Sequence, residues 1–142
     1  MDTACPFCNT DIEINFERKN VIAVLDKYPV TKFHTLIVPK RHVSSFFKLT
    51  MEEQQDCLLL LQTIKESLSK YDNTISGFNV GINDGEDAGQ TIPHCHIHLI
   101  PRRKSDVKNP RGGVRHVIPD KGNYESFTSI DIQEEKFKTI SA

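Results

Sequence analysis

Gly89-Gln90-Thr91-Ile92-Pro93-His94-Cys95-His96-Ile97-His98-Leu99-Ile100-Pro101-Arg102 carries three histidines in strict alternation with Cys95, Ile97 and Leu99. Successive side chains of a β-strand point to opposite faces. Ile92–Ile100 therefore reads as a strand, with His94, His96 and His98 on one face and Cys95, Ile97 and Leu99 in a core on the other. Pro101 is expected to stop it. Three of the chain's six histidines on one face leave two physical readings: they ligate a metal, or one is a nucleophile and another its proton partner. An open catalytic metal site commonly adds a carboxylate, and no Asp or Glu interrupts this strand. Gly89, Gln90, Thr91, the nearby Asn83 and the basic run from Arg102 all offer donors for anionic oxygens. That favours phosphate chemistry, while the residues alone leave the metal reading open.

Working outward, Phe78, Val80 and Ile82 alternate with Gly77, Asn79, Gly81 and Asn83, as in a half-buried strand. The polar stretch 83–89 is a loop. Thr50, followed three residues later by Glu53, forms a capping box that opens a helix running to about Tyr71. Leu58, Leu61, Ile64, Lys65 and Leu68 give it one apolar face. Leu59 and Leu60 lie off that face, as a dimer contact or as the flank of a wide core stripe. Residues 20–26 and 33–38 are β-branched and apolar, two strands joined by a turn. Strands around one helix define an α+β class, an antiparallel sheet with one main helix packed on it. One domain is expected over residues 1–127, with 128–142 a polar tail expected to be mobile.

The composition agrees with a globular chain: 142 residues, 37% hydrophobic and 26% charged,. A net charge of −1 does not suit a protein that coats duplex nucleic acid. Locally the balance is uneven, with seven basic and two acidic residues from Arg102 to Lys121, a net of +5. Alone, such a run reads as a solvated loop. No apolar stretch reaches membrane-spanning length. Met-Asp-Thr-Ala-Cys-Pro lacks the pattern of a signal peptide, so a cytoplasmic location is expected, with the four cysteines as reduced thiols or metal ligands. Cys57 and Cys95 fall on buried faces and read as small hydrophobes. Cys5-Pro-Phe-Cys8 leaves redox, metal and plain-thiol readings open, although the four residues before it give no room for the strand that a thioredoxin-like motif follows.

His-Cys-His-Ile-His-Leu-Ile resembles the motif of the histidine-triad family. Gln90-Thr91, Pro101-Arg102, Asp26, the segment His34–Lys40 and Asn83-Asp-Gly extend the likeness over roughly residues 5–120. It resembles most the branch of dinucleoside polyphosphate hydrolases, and Asn109–Pro119 is similar to a segment of bacterial members. The resemblance implies a HIT-like fold and a two-step displacement. His96 is the nucleophile that takes the nucleotidyl group, and His98 hydrogen-bonds the phosphate and leaving oxygen. His94 orders the site, and His34 beside it is a further ordering candidate. Asn83 and Thr91 hold phosphate oxygens, with Gln90 beside them, and Asp26 binds the ribose hydroxyls. Phe7 and Ile22 are candidates for the base-pocket wall. It also implies a structural zinc on Cys5, Cys8, His42 and His94, no organic cofactor, and a homodimer. The basic 102–121 segment favours a long polyanionic substrate. Within the same fold, a phosphoramidate or acyl-adenylate hydrolase and a phosphorylase stay open, as does a nucleotide-binding regulator without turnover.

Overall fold

The computed structural model describes residues 4–123. These fall into two compact units, divided after Lys108. In the first, β1 (Phe16–Glu17), β2 (Val21–Leu25), β3 (Thr35–Pro39), β4 (Ile75–Ile82) and β5 (Ile97–Arg103) form one antiparallel sheet in the order β1-β2-β3-β5-β4. Helix α1 (Met51–Tyr71) connects β3 to β4 and packs on one face. This is the expected α+β architecture. In the described part of the second unit, Gly113–Val117 form a short 3-10 helix. The expected boundary at 127 and the tail 128–142 lie outside the described residues.

The sheet buries apolar side chains on both faces. Val21, Ala23, Ile37, Ile97 and Leu99 meet Cys57, Leu60 and Ile64 of α1, while Ile22, Val24, Leu36 and Val38 pack on the other face with Phe7 and Ile12. That second cluster explains the unbroken apolar runs of β2 and β3, whose residues are buried on both sides except for Leu25,.

The triad segment departs from a single strand. β5 begins only at Ile97, so His94 and His96 precede it and His98 alone lies within it. The ladder pairs Ile37 with Ile97; two residues further would set Cys95 opposite Pro39, which has no N–H to give. The Pro39 carbonyl instead meets His94 Nε2 at 2.8 Å, and Cys95 N–H donates to the Val43 carbonyl at 2.7 Å. At the other end Pro101 does not stop the strand, which runs to Arg103 with Pro101 paired to Phe78. A residue's N–H and C=O point to the same side of an antiparallel strand. The Pro101 carbonyl accepts from Thr31 Oγ1 at 2.7 Å, on the side where β3 has already ended, so the missing donor costs the β4 ladder nothing.

The capping box forms as read, Thr50 Oγ1 accepting from Glu53 N and Glu53 Oε1 from Thr50 N. The apolar stripe is phased differently. Cys57, Leu60 and Ile64 are buried and Leu61 and Leu68 flank them, whereas Leu58 is 66% exposed. Two buried carboxylates on the same side set that phase: Glu53 is bound by Arg41, and Asp56 by Arg18 and by the backbone and side chain of Asn20.

Candidate active site

The sheet face opposite α1 brings together His98 from β5, His34 just ahead of β3, Asp26 just after β2, and His96. His98 pairs across the sheet with Leu36 on one side and Gly81 on the other. A side chain at Gly81 would stand in open space on that face, so this glycine keeps the surface beside His98 clear. Sequence reading did not single out this glycine, though a glycine inside a strand marks a place where another group can come close.

Hydrogen bonds fix which ring nitrogens carry protons. His96 Nδ1 lies 2.9 Å from the His94 carbonyl, which only accepts. The proton is therefore on Nδ1, and Nε2 presents its lone pair. His34 Nδ1 accepts from Val30 N–H at 3.2 Å, so His34 Nε2 carries the proton and donates to His98 Nδ1 at 2.9 Å. His98 must then hold its proton on Nε2. That atom is buried and has no hydrogen-bond partner among the described residues, and such an atom calls for an explanation. Asp26 Oδ2 stands 3.5 Å from His34 Nε2 and steadies the donor. Burial lowers the pKa of both His34 and His98; the neighbouring His96 and His34 lower His98 further, and Asp26 partly opposes both shifts. Both rings are thereby kept neutral.

Beside this face lies a cleft of about 600 Å³, walled by Phe7, Ile12, Val24 and Leu36, with Asp26 and Tyr28 at its polar side. Phe7 stands there as expected. Ile22 does not line the cleft but is buried in the apolar cluster that supports its wall. The side chain of Gln90 is fully engaged: Oε1 accepts from Gly85 N, and Nε2 donates to the carbonyls of Ser44 and Ile92. Gln90 thus braces the 83–90 loop rather than offering its amide to a ligand. Asn83, against whose side chain Gly89 packs, and the exposed Thr91 flank that loop. The head of the basic run is also engaged. Arg102 holds Asp106 and Asn79, and Arg103 holds Asp72 and Thr74.

A second cluster adjoins the first. Cys5, Cys8, His42 and His94 place one ligand atom each within 4.8 Å of one another. Four of the six pairs stand at 3.2 Å (Cys8–His42 and His42–His94), 3.4 Å (Cys5–His94) and 3.6 Å (Cys8–His94). Zinc–sulfur and zinc–nitrogen bonds of about 2.3 and 2.0 Å at tetrahedral angles give ligand edges of about 3.3 to 3.8 Å. The four donors therefore fit a tetrahedral ion. His94 is held for the task, since Nε2–H donates to the Pro39 carbonyl and leaves Nδ1 free to ligate,. Phe7, between the two cysteines in sequence, packs on the rings of His94 and His96 with centroids 5.6 and 5.1 Å away. Cys57 and Cys95 are buried thiols, pushed up by burial to about 12 and about 11; neither is available as a nucleophile.

A model of the HIT domain family matches residues 9–105. The chain is 35% identical over 115 residues to the bis(5′-nucleosyl)-tetraphosphatase (asymmetrical) of Schizosaccharomyces pombe, covering 81% of this chain and 63% of that protein. It is 38% identical over 104 residues to the bis(5′-adenosyl)-triphosphatase of Dictyostelium discoideum, covering 73% of this chain and 69% of that one. Among solved structures, a Zn-bound histidine triad family protein from Mycobacterium smegmatis superimposes with a TM-score of 0.66 at 32% identity, over 73% of this chain and 78% of that chain. The chain thus spans less than two thirds of the S. pombe relative.

Proposed function

The chain belongs to the HIT domain family, and we propose that it is a nucleotide hydrolase cleaving dinucleoside polyphosphates at the α-phosphorus, by way of a nucleotidyl group carried on His96. The observation that supports this most directly is His98 Nε2–H, buried without a partner beside a His96 whose Nε2 lone pair is exposed by the bond from Nδ1 to the His94 carbonyl. A donor and a nucleophile on neighbouring rings, 5.2 Å apart by centroid, suit one phosphate lying across both. The relatives named as dinucleoside polyphosphate hydrolases support the substrate class.

The nucleoside enters the cleft with its base against Phe7, Ile12, Val24 and Leu36 and its ribose at Asp26. His96 Nε2 attacks the α-phosphorus in line. A P–N bond forms as the bond to the bridging oxygen breaks, and that oxygen takes a hydrogen bond or the proton from His98 Nε2. Water then attacks the same phosphorus, its proton passing to His98 Nε2 to replace the one given to the leaving oxygen, and the P–N bond breaks back onto His96 Nε2, releasing a nucleoside monophosphate. Asn83 and Thr91 are the proposed holders of phosphate oxygens, and Gln90 holds their loop. His96→Ala should abolish turnover while nucleotide binding persists. Rapid quench with α-labelled diadenosine polyphosphate should leave acid-labile, base-stable label on His96. Near-normal activity in that variant, or label on another residue, would overturn the assignment. Comparing a phosphoramidate and an acyl-adenylate, with and without inorganic phosphate, reads the acceptor and substrate class in the same assay.

Three further readings belong to this proposal. Zinc occupies the Cys5, Cys8, His42, His94 cluster, where it supplies a structural cross-link from the N-terminal loop to the triad segment. The chain is a homodimer, supported by the eight-residue edge strand β4 and by Val80, Leu58 and Leu59, which are exposed on the α1 side,. Cys57 and Cys95 are buried thiols outside the metal cluster, and reduced cysteines of this kind suit a reducing, cytoplasmic setting; no helix among the described residues is long and apolar enough to cross a membrane.

A further inference from the structure

A second cleft, of about 530 Å³, opens where the β2–β3 turn meets the end of α1 and the start of β4, lined by Lys32, Phe33, Lys70, Tyr71 and Arg103 among others. The triad chemistry uses none of these residues. Its most unusual feature is Phe33, a non-glycine residue with φ of 73°. A bulky side chain rarely accepts this left-handed conformation, and such strain concentrates at ligand clamps. The strain is held from both sides. Thr35 Oγ1 donates to the Phe33 carbonyl at 2.7 Å, His34 N to the Thr31 carbonyl at 3.1 Å, and Arg103 Nη2 to the Lys32 carbonyl at 3.2 Å. The result turns the Phe33 ring outward against Tyr71, centroids 5.7 Å apart and planes at 80°. Tyr71 is 79% exposed.

The charges are sorted as well. Arg103 spends its guanidinium on Asp72 and Thr74, which cancels the one acid in the cleft and ties its walls together. Lys32 lies over the Phe33 ring, 5.2 Å from its centroid. Lys32 and Lys70 carry no ion pair among the described residues. Two ammonium groups without an ion pair, beside an exposed Tyr71 that is braced edge-on by the half-buried Phe33, match a ligand with one flat ring system and one phosphate. Lysine serves phosphate as a point charge, and aromatic side chains stack any base.

We propose that this cleft is a second nucleotide site, taking a nucleoside monophosphate with its base against Tyr71 and Phe33 and its phosphate on Lys32 and Lys70. Equilibrium dialysis of the purified protein with labelled AMP, paired with photo-crosslinking by 8-azido-AMP, tests it. Two classes of site are expected, with crosslinks to Tyr71 in one of them. Tyr71→Ala and the double change Lys32→Glu with Lys70→Glu should each weaken that class about tenfold or more, the scale of a lost stacked base or phosphate contact, and leave the other class and basal turnover unchanged. These side chains are solvent-facing, so the fold should survive, which thermal melting checks. A single class indifferent to Tyr71→Ala overturns the proposal, and so does displacement of AMP from that class by inorganic phosphate as effectively as by unlabelled AMP. A single class that Tyr71→Ala abolishes supports the cleft and counts against nucleotide binding at the triad face, so failure of either reading can be told from failure of the other.

Discussion

His34 shows how a single buried ring can settle the protonation of its neighbour. Its Nδ1 is claimed by Val30 N–H, so its Nε2–H must face His98 Nδ1, and His98 must present N–H from Nε2. Removing the donor frees His98 to adopt the other tautomer, which offers a lone pair where the leaving oxygen needs a proton. His34→Ala should therefore lower kcat by about 10- to 100-fold, a part of the roughly 100- to 10,000-fold that a positioned acid supplies, with little change in KM. His34→Gln, whose side-chain amide can donate to the same nitrogen, should recover part of the loss; equal losses in both variants would point to a packing role alone. The pH dependence has a definite sign. Burial lowers both imidazoles, so between the ordinary value near 6.5 and the lowered one the unfolded chain binds more protons. Stability should fall as pH drops through that window. The residue types and their spacing were legible in the sequence, including Asp26 and His34. The tautomers were not, because they depend on a backbone amide and a backbone carbonyl that no spacing rule locates.

Helix α1 marks where periodicity runs out as a guide. Leu58-Leu59-Leu60-Leu61 admits more than one phase of a 3.6-residue repeat. The deciding residues are Glu53 and Asp56, which a hydrophobic pattern assigns to solvent. Arg41 and Arg18 draw them to the buried side, and the Arg41 hydrogen bond holds the Glu53 carboxyl below its ordinary range. The stripe thereby passes through Cys57, Leu60 and Ile64. Leu60→Ala should cost about 2–5 kcal/mol as a buried truncation, while Leu58→Ala should stay within about 0.5 kcal/mol in the monomer. Leu58→Glu should instead shift sedimentation from dimer toward monomer while leaving the monomer fold intact. Sedimentation of the unaltered protein as a clean 16.2 kDa species at micromolar concentration would remove the dimer reading. The prolines misled for a related reason. Pro101 reads as a stop only if its missing N–H belongs to a ladder, and here that side of the strand faces Thr31 rather than β4.

At the scale of the whole first unit, the Cys5–Cys8 loop is what joins the N-terminal segment to the chemistry. His94 donates through Nε2 to β3 and offers Nδ1 to the thiols and to His42, while His96 leans its Nδ1 on the His94 carbonyl. Phe7 sits between the two cysteines in sequence, touches both rings and forms a wall of the cleft proposed to take the nucleoside. A metal ion at the four donors would therefore stiffen two things together, the cleft wall and the peptide unit that orients His96. Purified protein should carry zinc at close to one equivalent. An ion that binds only the folded chain stabilises by about 2.7 kcal/mol when its free concentration is 100 times its dissociation constant, which for a unit of this size corresponds to about 10 °C in Tm. Chelation should lower Tm by that order, more readily as the pH falls, because thiolates and imidazoles release the ion on protonation. Cys8→Ser should lose the ion and most of that increment. Its kinetic signature should be a KM for the nucleotide raised several-fold with a smaller fall in kcat, since Phe7 loses its anchor while His96 and His98 remain. The opposite split, an intact KM with kcat lost, would move the role of the cluster from pocket wall to nucleophile. Metal-free protein whose Tm is indifferent to chelator and to added zinc would mean that Cys5 and Cys8 are thiols and nothing more.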